Sequence, residues 1–340
     1  MSPRSFPRLF MLLHLTAALV AAVPVSSSSA GGVNSTSQPI DATFARRLPQ
    51  ALIIGAKKSG TRALLAFICM HPDVQAPGPE VHFFDRNYHR GLDWYRKRMP
   101  ASLPSQLTME KTPGYFISES APSRVHSMNP DTRLVLVVRD PVTRILSDYA
   151  QASANAAGGS SRRRNRRNRR RKNRRKHRRR QAGRRGSSIK PIESLAFRSR
   201  PGNGSQPELL EVSANWTAVR IGEYARHLAN WLAVFPRQQI LVLSGERLVA
   251  DPGAVMEELQ RFLGLELIIT GRHFYFDRRK GFHCLKKAGR RGKPRCLAGN
   301  KGRRHPNLAP ELIRRLRQFY APKNREFYAM TGVNFGWPEL

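Results

Sequence analysis

The chain has 340 residues, is 40% hydrophobic and carries a formal net charge of +37, from 60 Lys and Arg against 23 Asp and Glu. This length and apolar content are enough for the core of one large α/β domain, and nothing in the composition requires a second domain. Residues 162–180 hold 15 of the Lys and Arg, yet the rest of the chain is also strongly basic, so the tract and the folded body both indicate a polyanionic partner.

The N-terminus has the features of a secretory or anchoring segment. Arg4 and Arg8 flank an apolar run over residues 10–25, which is short for a free-standing membrane span of about 20 residues. We therefore predict a cytoplasmic N-terminus over 1–9, followed by a signal-anchor or a cleaved signal over 10–25. Sequons begin at Asn34, Asn203 and Asn215; they agree with a luminal location and argue against a nuclear one.

A flexible stem and an α/β domain follow this segment. Residues 26–45 are rich in Ser, Gly and Val, and such a composition is typical of a linker. Beyond the stem, short apolar runs alternate with helical patterns; the runs lie at 51–54, 107–109, 134–138 and 240–243. The alternation predicts an α/β domain over 46–340, with a central parallel sheet flanked by helices.

The first apolar run leads into a loop suited to an anion. Strand, polar loop and helix follow one another over residues 52–65, and Gly55 and Gly60 have the spacing G-x-x-x-x-G. Backbone N–H groups at a helix start and nearby lysines attract phosphate or sulfate. Thr61 follows directly where a nucleotide triphosphatase has Lys, which argues against Mg²⁺-dependent phosphoryl transfer. The alternative interpretation is a lysine-rich solvent loop.

Helix ends and an insertion are also visible in the sequence. Asp140 before Pro141 predicts an N-cap, and apolar residues at helical spacing over 312–319 predict a helix, with a second short helical stretch stopping before Gly332. Between 153 and 191 the pattern breaks, because Gly and Ser flank the arginine tract. We predict a disordered basic insertion there.

The cysteines predict one disulfide. Cys284 and Cys296 lie close together in a Gly/Lys/Arg-rich stretch with little apolar material to hold it. A bond between them closes a short loop and contributes about 3 kcal/mol by the chain-entropy estimate; the alternative is two unpaired thiols. Cys69 follows an apolar run and is interpreted as a small core residue.

Taken together, these segments resemble the heparan sulfate glucosamine 3-O-sulfotransferase family. The resemblance covers residues 46–337 apart from the insertion, and rests on segments 57–65, 80–85, 110–113, 138–141, 146–149, 280–282 with Cys284, and 296–306. It implies a P-loop-like sulfotransferase fold with a central parallel sheet. It also implies 3′-phosphoadenosine 5′-phosphosulfate (PAPS) as the sulfuryl donor, heparan sulfate as the acceptor and no essential metal.

The resemblance implies roles for individual residues. Glu80 is the expected catalytic base, Lys58 the group that stabilises the departing phosphate oxygen, and His82 an orienting or assisting group. The residues expected to bind PAPS are Lys58, Ser59, Gly60, Thr61, Arg62, Arg139, Ser147, Lys301, Gly302, Arg303, Arg304 and His305. Those expected to contact the sugar chain are Lys57, Arg62, Asp85, Lys111, Gln151, Trp216, Lys301 and Arg303; a buried tryptophan is the alternative for Trp216.

The sequence departs from the family pattern at two places, and it is also compatible with two other functions. Ser59 stands where the family usually has glycine, and the insertion follows Gln151 directly. The alternatives are a non-catalytic heparan-binding protein and a nucleic-acid-binding protein that uses the arginine tract, although the tract lacks interleaved aromatics. The implied location is the Golgi lumen, as a single-pass type II membrane protein or, after signal cleavage, a soluble luminal or secreted one.

Overall fold

The computed structural model describes residues 43–172, 189–200, 209–286, 296 and 304–340. The strands are β1 Ala45–Arg46, β2 Ala51–Gly55, β3 Val74–Gln75, β4 Ala101–Ser102, β5 Leu107–Lys111, β6 Arg133–Val138, β7 Phe197–Arg200, β8 Leu209–Val212, β9 Ile240–Ser244, β10 Phe274–Asp277 and β11 Phe282–Leu285. The helices are α1 Thr61–Ile68, α2 Gly91–Arg96, α3 Ala121–Met128, α4 Pro141–Lys172, α5 Ile192–Ala196, α6 Thr217–Arg220, α7 Tyr224–Leu232, α8 Gly245–Ala250, α9 Pro252–Leu263 and α10 Pro310–Thr331.

Five parallel strands form the central sheet, in the order β3-β5-β2-β6-β9. The four predicted apolar runs are its strands β2, β5, β6 and β9, so the predicted α/β fold with a central parallel sheet is confirmed. The two-residue edge strand β3 is too short to give a periodic signal and was not predicted. Three further pairs, β1 with β4, β7 with β8, and β10 with β11, are antiparallel and lie outside this sheet.

Both faces of the sheet are buried, as parallel sheets require. Along β2, Leu52 and Ile54 join one apolar cluster while Ala51 and Ile53 join another, because successive side chains point to opposite faces. Helices α7 and α10 cover the first face, with Trp231 fully buried there. Helices α1 and α9 cover the second. Because helices cover both faces of the sheet, a central strand such as β2 is apolar along its whole length.

Helix α4 begins as predicted and extends past the predicted start of the insertion. The carboxylate of Asp140 accepts hydrogen bonds from the backbone N–H groups of Val142 and Thr143, which makes it the N-cap. The helix is described as far as Lys172, whereas the insertion was predicted to begin at residue 153. Arginine is a strong helix former and no proline interrupts the segment. Residues 189–191 lead into α5 and residues 173–188 lie outside the described part, so the disorder of the insertion stays a prediction.

The predictions about the last helix and the three cysteines have mixed outcomes. Helix α10 is one continuous helix of 22 residues, and Gly332 ends it with a left-handed φ of 71°. Cys284 and Cys296 form the predicted disulfide. Cys69 is exposed at the end of α1, so its predicted core position is wrong. It lies one residue past the buried stripe of that helix.

Several predicted segments lie outside the described residues. These are the N-terminal segment over 1–9, the apolar run at 10–25, the stem as far as residue 42, and the sequons at Asn34 and Asn203. Among the residues that are described, none of the helices combines the length and the apolar character needed to span a bilayer. Asn215 is described, and it lies exposed in the turn before α6.

Candidate active site

A cleft of about 780 Å³ opens where the parallel strands end. The loop after β2, Arg139 after β6 and Gly245 after β9 all line it. Ligands of open α/β sheets bind outside the carboxyl ends of the strands, so this is the position where the fold itself favours a site.

The loop after β2 wraps tightly around the start of α1. Lys58 has a left-handed φ of 76°, and Gly60, with φ of 112°, is the residue before the first turn of α1. The backbone at β9 approaches closely: a Cβ added at Gly245 would lie 2.5 Å from the carbonyl oxygen of Ser59. Only glycine fits at Gly245, and this contact fixes the loop against the end of the sheet.

Helix α4 holds the two lysines of the loop. The ammonium of Lys58 donates a 2.8 Å hydrogen bond to the side-chain oxygen of Gln151. Lys57 lies 2.9 Å from a carboxylate oxygen of Asp148, and that carboxylate also contacts the fully buried Arg144 at 3.4 Å. The guanidinium of Arg144 in turn donates to the backbone carbonyl of Ala218. The positions of the loop cations are therefore set by a helix that begins at the neighbouring strand.

A second group of basic and polar residues lies at the end of β6. The hydroxyl of Tyr224 donates a 2.7 Å hydrogen bond to the carbonyl of Arg139, which holds this residue at the strand end. Ser147 and His305 line the same cleft. Burial, and then the charges of Arg139 and Lys58, lower the pKa of His305 below its ordinary value of 6.5. The site is therefore strongly cationic and suited to a multiply charged anion.

Across the cleft, a carboxylate lies between two nitrogen groups. Glu80 accepts a 2.6 Å hydrogen bond from the ammonium of Lys111, and its other oxygen lies 3.4 Å from Nε2 of His82. The Nδ1 atom of His82 lies 2.8 Å from a carboxylate oxygen of Asp85. These four side chains form a connected chain in which Asp85 orients the imidazole and Lys111 orients Glu80.

A buried carboxylate supports the backbone that carries Glu80. Glu110 accepts hydrogen bonds from the Thr112 hydroxyl at 2.5 Å, the Tyr95 hydroxyl at 3.2 Å and the backbone N–H of Val81 at 3.4 Å. The Thr112 hydroxyl oxygen also accepts from the backbone N–H of His82, which has a left-handed φ of 53°. Burial raises the pKa of Glu110, and these hydrogen bonds oppose the rise. Sequence reasoning missed this network, since its partners are far apart in the chain.

The structure brings most of the predicted site residues together. Lining the cleft are Lys57, Lys58, Ser59, Gly60, Thr61, Arg62, Glu80, His82, Arg139, Ser147, Gln151 and His305. Lys111 and Asp85 do not line the cleft themselves. Lys111 contacts Glu80 and Asp85 contacts His82, and both of these partners line it. Trp216 does not line it: this half-buried side chain packs against the apolar cluster between α4 and α10. Arg304 is exposed and does not line it, and residues 301–303 lie outside the described part.

Some residues of the cleft were not predicted. Arg86, Gly245, Lys280 and His283 line it although sequence reasoning gave them no role. Lys280 belongs to a segment that carried the family resemblance, and it follows β10 at the tip of a hairpin. A basic residue beside glycine in such a turn is the sequence feature that could have indicated its place in the cleft.

Among the described residues, one group of side chains has the spacing of metal ligands. Asp277, Cys284 and Cys296 have ligand atoms within 4.8 Å of one another, but the two sulfurs are bonded to each other. A disulfide offers no thiolate, so this group is not suited to a metal ion.

Comparisons with known proteins agree with this geometry. Residues 48–330 match the family model described as a sulfotransferase domain. Heparan sulfate glucosamine 3-O-sulfotransferase 3B1 of Mus musculus is 49% identical over 303 residues, which cover 88% of this chain and 68% of that protein. Heparan sulfate glucosamine 3-O-sulfotransferase 6 of Mus musculus is 50% identical over 292 residues, covering 86% and 74%.

Among solved structures, a sulfotransferase from Alicyclobacillus acidocaldarius has a TM-score of 0.55 to this chain at 19% identity. The alignment covers 85% of this chain and 98% of that one. At this level of identity the similarity concerns the fold, and it agrees with the parallel sheet and its flanking helices.

Proposed function

The chain belongs to the heparan sulfate glucosamine 3-O-sulfotransferase family, and on that premise we propose that it transfers a sulfuryl group from PAPS to the 3-hydroxyl of glucosamine in heparan sulfate. The observation that carries the proposal is one cleft with an anion-binding loop on one wall and the Glu80 carboxylate on another. The first suits a phosphosulfate and the second suits proton removal from a sugar hydroxyl.

The residues of the cleft fit PAPS as donor. The loop around Lys58 and Gly60 presents backbone N–H groups at the start of α1 together with two lysines and Arg62, a donor set for the 5′-phosphosulfate. Arg139 and Ser147 lie beside it and would hold the 3′-phosphate. Burial is the main cause of the lowered pKa of His305, and the charges of Arg139 and Lys58 add to it, so these two cations lie near the same part of the cleft.

The mechanism follows from the side chains. PAPS, when bound, supplies an activated sulfuryl group and a phosphate leaving group. Glu80 accepts the proton of the acceptor hydroxyl at a carboxylate oxygen as that hydroxyl attacks. Lys58 donates to the phosphate oxygen on which negative charge develops. Asp85 holds the imidazole of His82 in the orientation that faces Glu80. Alignment of base and donor in one cleft lowers the entropic cost of the in-line reaction.

The acceptor is proposed to lie along the cationic rim of the same cleft. Lys57, Arg62 and Arg86 line the cleft and match the sulfates and carboxylates of heparan sulfate. Lys111 is buried and paired with Glu80, so its part is to hold the base as well as to add positive charge. We also propose a Golgi-luminal, type II membrane location, supported by the N-terminal apolar run and the exposed sequon at Asn215.

The proposal is tested with purified protein, sulfur-labelled PAPS and heparan oligosaccharides of defined sulfation. We expect label to enter the oligosaccharide at the glucosamine 3-hydroxyl, identified by mass spectrometry of the digested product. Label at another hydroxyl would move the chain to a different specificity. Binding of the oligosaccharide without any transfer, by a protein that also binds the nucleotide product, would support the non-catalytic alternative.

A further inference from the structure

Two aromatic rings lie a few residues beyond the cleft wall that carries Glu80. Arg86 is exposed and lines the cleft, and the chain then continues into the short helical segments that hold Tyr88 and Trp94. Both rings pack on the fully buried ring of Phe83, with centroid distances of 5.4 Å for Tyr88 and 6.3 Å for Trp94. The two rings are therefore anchored on the core through one side chain.

Three guanidinium groups lie over these rings. The Cζ atoms of Arg90 and Arg98 lie 5.0 Å and 4.7 Å from the centroid of the Trp94 ring. The Cζ atom of Arg124 lies 4.6 Å from the centroid of the Tyr88 ring. A ring face attracts a guanidinium, whose N–H groups at the edge of its plane can still bind an anion. These five residues form a surface that we call the Trp94 patch.

The two arginines over Trp94 have no acidic partner in the part of the chain that the structure describes. Arg90 and Arg98 are both exposed. Asp93 is the one acidic residue between them in the sequence, and its carboxylate pairs with Arg96 instead. Exposed arginines that are held on a ring and left without a carboxylate are suited to the sulfates and carboxylates of a polyanion.

We propose that the Trp94 patch binds the part of the heparan sulfate acceptor that extends out of the cleft past Arg86. The proposal rests on the function proposed above. Charge complementarity and continuity with the cleft select this partner, because Arg86 and the patch belong to one segment of the chain. Arginines that a ring already holds lose less freedom on binding. A second contact on the same chain also raises its effective concentration at the cleft.

The first test compares the double variant Arg90→Gln/Arg98→Gln with the parent on acceptors of increasing length. Glutamine keeps two exposed polar side chains and removes both charges. At low salt we expect KM for long chains to rise about threefold to tenfold with kcat unchanged, and the rise should shrink at high salt. For oligosaccharides that fill only the cleft, kcat and KM should match those of the parent.

A matched control removes the same amount of charge elsewhere. Arg261 and Arg325 are exposed, lie outside the cleft and pair with glutamates. The double variant Arg261→Gln/Arg325→Gln should therefore behave like the parent with acceptors of every length. A rise in KM for long chains as large as that of Arg90→Gln/Arg98→Gln would attribute the effect to net charge and would overturn the patch.

Two substitutions of Trp94 separate the role of the ring from that of the charges. Trp94→Leu and Trp94→Phe both keep every arginine, but only phenylalanine offers a ring face to hold them. We expect Trp94→Leu to raise KM for long chains, and Trp94→Phe to stay within about twofold of the parent. Urea unfolding checks that both variants are folded. A KM for long chains in folded Trp94→Leu equal to that of the parent would remove the ring from the binding surface.

The remaining outcomes separate this proposal from the proposed function. An equal effect of Arg90→Gln/Arg98→Gln on long and short acceptors, or no effect on either, would overturn the patch. Tighter binding of single-stranded DNA than of heparan, lost in the same variant, would overturn its partner. If the parent sulfates no acceptor, the proposed function fails, and calorimetric binding of long and short heparan chains to the parent and the variant still tests the patch.

Discussion

Glu80→Gln is the most informative substitution because Glu80 has two roles in the structure. Its carboxylate faces the cleft, and it is the hydrogen-bond partner of the Lys111 ammonium at 2.6 Å. Glutamine has the same size and still accepts from Lys111, but it takes up no proton. We expect turnover to fall about 10²–10⁴-fold, the usual contribution of a positioned base, while the nucleotide product binds with the affinity of the parent.

The structure also sets the expected cost in stability. The Lys111 side chain is 3% exposed, whereas the Glu80 side chain is 41% exposed. Leaving a buried charge without any partner costs about 3–5 kcal/mol. Here the amide oxygen keeps one hydrogen bond and one side of the pair meets solvent, so we expect a loss of about 1–3 kcal/mol in the free energy of unfolding. A domain of ordinary stability remains folded after such a loss.

Lys111→Met completes a double-mutant cycle. Methionine removes the buried ammonium and fills its space, so no buried charge is left facing the amide at position 80, and the double variant should be more stable than Glu80→Gln alone. Transfer of labelled sulfate at saturating substrates gives turnover, and urea unfolding gives stability. Turnover of Glu80→Gln within about tenfold of the parent would exclude Glu80 as the base. A double variant less stable than either single one would contradict the reasoning about the ion pair.

Three further predictions concern the donor site. Arg139→Ala should weaken binding of the nucleotide product about tenfold to a hundredfold in calorimetry, whereas Arg247→Ala, which removes an exposed ion pair outside the cleft, should not. Gly245→Ala places a methyl group 2.5 Å from a loop carbonyl and should cost about 1–3 kcal/mol in urea unfolding, while Gly78→Ala, which meets no atom within 4 Å, should be nearly neutral. The pKa of His305 is lowered in the folded protein, so the unfolded chain binds the proton first as the pH falls. The free energy of unfolding should therefore decrease as pH drops below 6.5. His305→Gln should reduce this loss when unfolding is compared at about pH 7.5 and about pH 5.5.

The sheet and the anion-binding loop were predictable because each depends on local sequence. Strands buried on both faces give continuous apolar runs, such as β2 and β6, that need no knowledge of their neighbours. The loop around Gly60 is defined by the strand before it and the helix after it. The residues with chemistry were then found by resemblance, and the structure placed most of them in one cleft.

The supports of the site were not predictable from the residues alone. Glu110 reads as a strand-end charge, yet it is fully buried and accepts hydrogen bonds from residues as distant in sequence as Val81. Gly245 reads as an ordinary helix start, and its need for glycine appears only when the loop carbonyl lies against it. Such requirements come from contacts between separate elements, which no local pattern contains.

The start of the insertion shows how an adjoining helix can extend into a segment of biased composition. A run of arginines has the composition of a solvated, disordered segment, but its first part continues a helix whose earlier turns are packed and capped. Helix formation is cooperative, so residues that extend an existing helix avoid the cost of nucleation. The context supplied by Asp140 and the buried turns of α4 therefore decides the outcome there.

Ser59 illustrates how the structure accommodates a departure from the family pattern. Glycine is needed where φ is positive, and in this loop the left-handed residues are Lys58 and Gly60, not Ser59. Ser59 is 2% exposed, and its backbone carbonyl lies against Gly245, which follows β9. The backbone therefore has no conformational need for glycine at this position. Because the side chain is almost fully covered, it adds little bulk at the open face of the loop, where backbone N–H groups and Lys58 would meet the anion.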